Sequence, residues 1–241
     1  MADVHGRPLL LRLIDRLRTS ETVTRIVVCT STHEDDQVLA ESAHEWGVES
    51  IRGHEDDVLS RFIQAADAYS ADLVVRVTGD NVLTDPGVID ALVSHQRTTG
   101  ADYVRSNDLP LGIGPEVMKA DMLPRLHALM PDPGESEYMT LFAFNPDEFN
   151  CSVLMIPDSV RRPYYSLSVD RESDLAVVRQ LFAEDPGPTS GPDLNEIIKF
   201  LDAHPECRVL SDETEIKYPG GEVRTYREFR DWLSSRCNPA T

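Results

Sequence analysis

Apolar residues follow two alternating rhythms along the first half of the chain. In Pro8 to Arg18, PLLLRLIDRLR, they recur at helical spacing with basic residues opposite, which predicts an amphipathic helix. Arg25 to Cys29 is a short β-rich run ending in Thr30-Ser31-Thr32, and the polar cluster His33 to Asp36 then opens a helix through about Trp46. Gly47 to Ile51 reads as a short strand, and His54 to Asp57 leads into a helix over VLSRFIQAADAYS. Leu73 to Val77 is the next strand, and after Asp85-Pro86 a helix runs from about Gly87 to Arg97. Short apolar strands alternating with longer helices predict βαβ units, hence an α/β fold with a mostly parallel sheet and helices on both faces.

The second half is less regular. Tyr103-Val104, Pro115 to Met118 and Cys151 to Met155 read as short strands, Tyr165 to Val169 as a β-like run, and Lys119 to Leu129 as a helix. These elements suit a compact elaboration of one core. A helix over Glu172 to Glu184 is followed by the Pro/Gly-rich stretch Pro186 to Pro192, a linker by composition. Helices over Leu194 to His204 and Tyr226 to Ser235 are separated by an acidic, strand-poor stretch. The expected division is therefore a domain over 1–185 and a linker with a helical extension over 186–241.

Composition narrows the classes of function. With 241 residues, 41% hydrophobic and 27% charged, the chain can bury a substantial core, and no apolar run approaches the roughly 20 residues of a membrane helix. The opening Met1 to His5 has neither the basic nor the apolar region of a secretory signal, so a cytoplasmic location is expected. A net charge of −19 disfavours nucleic acid and anionic membranes as partners. It is compatible with a single nucleotide, because carboxylates can bring Mg²⁺ to the phosphates. Cys29, Cys151, Cys207 and Cys237 are widely spaced with no C-x-x-C pair, so neither a zinc site nor a disulfide framework is expected. The sequon Asn150-Cys151-Ser152 is expected to carry no meaning without a secretion signal.

Several residues carry candidate chemistry. The tetrad His-Glu-Asp-Asp occurs at His33 to Asp36 and at His54 to Asp57, each where a helix begins. Acidic residues there complement the helix dipole and the free amides, which favours helix initiation over metal ligation, more firmly for the first copy. Asp80 follows the strand Leu73 to Val77 at its carboxyl end, where open α/β sheets bind ligands, with Gly79 allowing close approach and Thr78 offering a hydroxyl. Its local alternative is to cap the turn before Pro86. Asp170 follows the run Tyr165 to Val169 and has the same two readings, ligand or N-cap. Two strand-end acids together suggest a hard-cation site holding a triphosphate.

Four segments fall in a familiar register: C-T-S-T-x-x-D-D (Cys29 to Asp36), R-G-x-E-D-D-V-L-x-R-F (Arg52 to Phe62), V-V-R-V-T-G-D-x-x-L-x-D-P (Val74 to Pro86) and S-V-D-x-x-x-D-L (Ser168 to Leu175). Over roughly residues 6 to 200 the chain resembles the cytidylyltransferases of spore-coat polysaccharide type, relatives of the synthetases that make CMP-activated acidic sugars. The resemblance implies a Rossmann-like, GT-A-like nucleotidyltransferase fold and transfer of CMP from CTP to a sugar, phosphorylated or phosphonate acceptor, with pyrophosphate released. It also implies that Asp80 and Asp170 hold Mg²⁺ against the triphosphate. Thr30, Ser31, Asp56, Arg61 and Thr78 would line the cytidine side. Glu116, Glu137 and Tyr138, in G-I-G-P-E-V and E-Y-M-T, would face the acceptor, and a homodimer is the family expectation.

The sequence departs from that pattern at its start. In the family a first strand and a phosphate-gripping loop ending in L-P-G-K precede the helix that corresponds to Pro8 to Arg18, whereas this sequence begins just after that point. Either the true start lies upstream or the triphosphate grip has been abandoned. A central strand would then be lost, and Val209-Leu210, or Lys217-Tyr218 with Val223-Arg224, are the segments available to fill the gap. The alternative function is accordingly a non-catalytic family member acting as a binding or partner protein. A nucleotide-sugar glycosyltransferase ranks last, since Thr78 to Asp80 lacks the Asp-x-Asp motif it requires.

Overall fold

The computed structural model describes residues 2–184 and 191–236. Most of the linker expected over Pro186 to Pro192 lies outside the described residues, as does Cys237. The chain opens with a small hairpin of β1 (Asp3–Val4) and β2 (Arg7–Pro8), whose two-residue turn places His5 and Gly6 at φ 49° and 76°. Positive φ at both turn positions matches the twist of the flanking strands. Helix α1 (Leu9–Leu17) follows, then β3 (Val27–Ser31), α2 (Gln37–Glu45), β4 (Glu49–Gly53), α3 (Val58–Ala68), β5 (Leu73–Arg76) and α4 (Pro86–Thr99). The remaining elements are β6 (Tyr103–Ser106), β7 (Glu116–Lys119), α5 (Met122–Leu129), α6 (Met139–Ala143), β8 (Cys151–Leu154), α7 (Glu172–Glu184), α8 (Leu194–Ala203), β9 (Glu215–Lys217), β10 (Val223–Thr225) and α9 (Tyr226–Ser235).

The period of two in the strands sorts side chains to two faces. Val75, Val104 and Val117 join one core with Leu13 of α1, Ile89 and Leu92 of α4, Val178 and Leu181 of α7, and Ile197 and Leu201 of α8. Val74, Tyr103 and Met118, one residue out of phase, join the opposite core with Leu59 of α3, Leu123 and Leu126 of α5, Met139 of α6 and Leu233 of α9. Ile14 of α1 packs with Ala43 of α2 and with Val48, so α1 and α2 lie on the same side. Helices thus cover both faces of a mixed sheet.

The sheet layer is split. β3 pairs in parallel with β4, and a separate sheet runs in the order β5-β7-β6-β8, with β7 antiparallel to both neighbours and β6 parallel to β8. Among the described residues, β3 and β5 have no ladder partner on their second edges, and a cavity of about 1080 Å³ lies between them. The C-terminal segments do not fill it. β9 and β10 pair with each other, Glu215 opposite Thr225, so the stretch expected to be poor in strands forms a hairpin of its own. The run Tyr165 to Val169 is irregular apart from a single bridge between Leu111 and Ser166.

Helix starts follow local chemistry. Glu34–Asp36 forms a 3₁₀ turn before α2, where His33 accepts the amide of Asp35 at 3.3 Å. Asp57 caps α3 by accepting the amide of Ser60 at 3.0 Å. Both acidic tetrads therefore begin helices, and among the described residues no group of three or more His, Cys, Asp or Glu side chains is arranged to hold a metal. Asp85 caps α4 through the amide of Val88 at 2.9 Å, Pro86 occupies the first turn, and Gly100 at φ 66° ends the helix.

Arg16 docks α1 onto this start of α4. Its guanidinium, 1% exposed, donates to the carbonyls of Thr84 at 3.2 Å and Pro192 at 2.7 Å, and lies 3.9 Å from the Asp85 carboxylate. Burial holds its pKa below the ordinary arginine value, with Asp85 and Asp193 opposing. Truncating one partner of such a buried charge leaves the other uncompensated. Arg16→Ala is expected to lower unfolding free energy by about 3 kcal/mol, read as a shift in the urea midpoint at unchanged slope.

Candidate active site

β5 delivers its carboxyl end into the turn Val77 to Thr84. The Asn81 amide donates to the Thr78 carbonyl at 3.1 Å, and the Asn81 side chain donates to the Thr78 hydroxyl at 2.8 Å. Asp80 sits inside this turn. Its carbonyl accepts the amide of Val169 at 3.1 Å, and its Oδ2 accepts the hydroxyl of Ser168 at 2.8 Å. Its Oδ1 is buried and has no hydrogen-bond partner. Since Asp85 caps α4, the local alternative for Asp80 is taken by another residue.

Gly112 fixes the approach of the second carboxylate. It adopts φ 92°, and a Cβ there would lie 2.9 Å from both the carbonyl carbon of Leu167 and the amide of Ser168. Backbone bonds from Leu111 to Tyr165 at 2.9 Å and from Leu167 to Leu111 at 2.8 Å hold the two segments together. Asp170 follows directly. Its amide and that of Arg171 donate to Asp174 Oδ2, at 3.1 and 2.8 Å, so Asp174 satisfies the amides at the start of α7. Partial burial, then the charges of Asp80 and Asp174, raise the Asp170 pKa.

Asp80 and Asp170 thus repel each other, and one of their oxygens is buried without a donor. That set fits a hard divalent cation. Two carboxylates plus phosphate oxygens are the usual ligands of Mg²⁺, which rarely takes an all-protein cage.

Of the residues expected on the nucleotide side, Thr30 near the end of β3 lines the same cavity as Gly79, the neighbour of Asp80. Ser31 is buried, and its hydroxyl donates to Asp36 at 2.6 Å and accepts the His33 amide at 2.9 Å. That hydroxyl holds Asp36 below the ordinary carboxylate range. Arg61 donates to the carbonyls of His54 and Glu55, both at 3.0 Å, bracing the loop that carries exposed Asp56. Asp56 lies in the β4–α3 connection and Arg61 in α3, and β3 and the gap separate β4 from β5, the strand that leads to Asp80.

The acceptor-side candidates converge on Arg76. Glu116, opposite Arg76 in the β5–β7 ladder, is 7% exposed. It binds Arg76 at 2.8 Å and the Thr140 hydroxyl at 2.8 Å, and it also accepts the Tyr103 hydroxyl. Burial alone would raise its pKa, but the guanidiniums of Arg76 and Arg105 and the two hydroxyls outweigh that and lower it. With both oxygens engaged, Glu116 ties α6 to the sheet. Arg76 also reaches the Glu137 carbonyl at 3.4 Å, and the side chains of Glu137 and Tyr138 hydrogen-bond to each other, which raises the tyrosine pKa. Ser136 connects the two sides, donating to the Asp56 carbonyl at 3.3 Å and accepting the Leu59 amide at 3.1 Å.

Sequence reasoning missed Ser168, Asp36, Arg76 and Thr140 as partners of the site. Ser168 lies two residues before Asp170 in a quoted segment, so only its pairing with Asp80, 88 positions away, was hidden.

Two variants probe this geometry. A folded-state carboxylate pKa raised by burial and repulsion costs stability once the group ionises, so that stability is present at low pH and lost as pH rises through the raised value. Asp170→Asn is therefore expected to raise the Tm of metal-free protein by about 1–3 °C at neutral pH, after discounting for solvent screening. The gain should vanish below the ordinary carboxylate range, as thermal melts across pH will show. Gly112→Ala forces a Cβ into Leu167 and Ser168 and should destabilise by about 1–3 kcal/mol, measured by denaturant titration.

The cytidylyltransferase family model matches residues 1–140 of the chain. A spore coat polysaccharide biosynthesis protein of Bacillus subtilis is 30% identical over 203 residues, covering 81% of this chain and 83% of that protein. A 3-deoxy-manno-octulosonate cytidylyltransferase of Chlorobaculum tepidum is 25% identical over 185 residues, 67% of this chain and 73% of that one. The structure of a cytidylyltransferase from Leptospira borgpetersenii superposes with a TM-score of 0.78 at 21% identity, over 87% of this chain and 89% of that chain.

Proposed function

We propose that this chain, which belongs to the cytidylyltransferase family, transfers CMP from CTP to a small acceptor bearing a nucleophilic oxygen, on a sugar, a phosphate or a phosphonate group. The observation that carries the reading is the Asp80–Asp170 pair, with its buried, unpartnered Oδ1, at the carboxyl end of β5. An acceptor oxygen attacks the α-phosphorus, the bond to the β-phosphate oxygen breaks, and pyrophosphate leaves. Such a displacement needs alignment and charge neutralisation more than covalent help from the protein.

Asp80 and Asp170 are the residues proposed to hold Mg²⁺, which when bound supplies positive charge to the triphosphate. Ser168 orients Asp80 from one side, and the turn from Thr78 to Asn81 holds it from the other. Thr30, Ser31, Asp56, Arg61 and Thr78 are proposed for the nucleotide. Arg76, fixed by Glu116, presents the segment carrying Glu137 and Tyr138 to the acceptor. The second reading, a non-catalytic binding protein, is favoured by one feature, the gap that separates Thr30 and Ser31 from Asp80.

Isothermal titration with CTP and Mg²⁺ tests the nucleotide half. Binding that requires Mg²⁺ and prefers CTP over GTP supports transfer, and Asp80→Asn should reduce pyrophosphate release by on the order of 100-fold. Unchanged release by that variant removes Asp80 from the site. CTP binding with no release for any sugar, sugar phosphate or phosphonate acceptor supports the non-catalytic reading.

A further inference from the structure

A short run of backbone bonds carries Asp170 to Asp80. The Arg162 amide donates to the Asp108 carbonyl at 2.9 Å, the Leu111 amide to the Tyr165 carbonyl at 2.9 Å, and the Leu167 amide to the Leu111 carbonyl at 2.8 Å. Gly112 lets the two segments stay in contact as far as Ser168, whose hydroxyl reaches the Asp80 carboxylate. The amide of Val169 reaches the Asp80 carbonyl, and Asp170 is the next residue. The register between segments 108–112 and 162–169 therefore decides where Asp170 stands relative to Asp80. Apart from the bridge between Leu111 and Ser166 neither segment is regular strand, so no long row of pairs enforces that register.

Helix α9 holds the far end of this run. Arg230 Nη2 donates to Asp108 Oδ1 at 3.0 Å and its Nη1 to the Tyr164 hydroxyl at 2.9 Å, so one planar fork ties one residue of each segment. Asp108 adopts φ 65°, a left-handed conformation that most residues other than glycine avoid. Its carbonyl is held by the Arg162 amide and its side chain by Arg230. Tyr164 is gripped as closely. Its hydroxyl donates to Asp212 at 2.9 Å, its carbonyl accepts the Leu210 amide at 3.1 Å, and the guanidiniums of Arg208 and Arg230 lie 4.3 and 5.2 Å from its ring centroid. Tyr226 of α9 packs edge-on to the same ring at 6.0 Å.

An exposed ion pair adds little to stability, and the side chains of Arg230 and Asp108 are 32% and 33% exposed. The value of this fork lies in geometry. A single Arg–Asp contact can form in several registers, whereas two bonds from one rigid guanidinium to residues of two different segments form in one. A lysine would bring the same charge as a single point and could not fix both.

We infer that Arg230 is a positioning residue for the proposed cation site: by clamping Asp108 to Tyr164 it fixes the register of the two segments and with it the separation of Asp80 and Asp170. The inference rests on the cation reading of that pair. It gives the C-terminal helix a part in the site without contact to substrate or metal.

The test compares the full chain with Arg230→Gln and Arg230→Lys. In metal-free protein Arg230→Gln is expected to speed hydrogen exchange about 10-fold at the amides of Leu111, Leu167 and Val169, with β3 and β4 unchanged. Mn²⁺, an oxygen-seeking ion like Mg²⁺, is then titrated and followed by electron paramagnetic resonance, and binding lost in Asp80→Asn is counted as the site. Affinity should fall about 5-fold in Arg230→Gln and equally in Arg230→Lys. Leu126→Ala, which leaves a cavity under α5 in the opposite core, should lower the Tm at least as much and leave Mn²⁺ affinity unchanged. The inference is overturned by unchanged exchange at the three amides, by undiminished affinity in either Arg230 variant, or by an equal loss in Leu126→Ala. If the unmodified chain shows no Asp80-dependent Mn²⁺ binding, the cation reading itself fails and the inference falls with it.

Discussion

A β-sheet is continuous only where its strands exchange backbone hydrogen bonds, and among the described residues this sheet is not continuous between β3 and β5. The two halves are instead kept in one layer by side-chain packing, α3 across one face and α1 with α4 across the other. Everything at the carboxyl end of the layer inherits that arrangement. Thr30 and Ser31 ride on the β3–β4 half, whereas Thr78, Asp80 and the Arg76–Glu116 pair ride on the β5–β7–β6–β8 half. Their relative placement is set by helices that touch both halves, not by a ladder.

The β5 half is internally rigid, because its polar groups are cross-tied over long sequence separations. Ser168 reaches Asp80, Gly112 lets the 111–113 and 165–168 segments lie backbone to backbone, and Glu116 gathers Arg76, Tyr103 and Thr140 at one buried point. A fully buried carboxylate is tolerable only with such compensation. The same logic in reverse marks the place proposed for a cation. Asp80 Oδ1 is buried without compensation, and Asp170 beside it bears a raised pKa, so this is where the fold has left negative charge unpaired. The two carboxylates differ in kind: both oxygens of Glu116 are engaged, whereas Asp80 keeps one buried oxygen without a donor.

The C-terminal elements extend the two helix layers. Ile197 and Leu201 of α8 enter the core over α7, while Leu233 of α9 enters the opposite core and Trp232 packs edge-on to Phe144 at 5.9 Å. Among the described residues no helix is long and apolar enough to cross a membrane. Tyr226 donates to the Pro163 carbonyl, and Arg230 binds Asp108 at 3.0 Å, so α9 also braces the stretch before the 165–170 segment and the loop after β6.

What the sequence determined by itself was local or periodic. The helices from Leu9, Val58 and Pro86, the strand from Leu73, the helix start at Asp57, and the alternation of strand and helix all follow from side-chain period and backbone chemistry within a few residues. The four motif segments marked Asp80 and Asp170 before any contact between them was visible. Only the structure decided that Asp85 caps α4 through the Val88 amide while Asp80 keeps one buried oxygen without a donor. It alone paired β9 with β10, since three-residue strands carry too little period to be read. It also made Glu116 a structural anchor. Burial and pairing between residues 24 or 40 positions apart depend on how the layers stack, which no window along the chain contains.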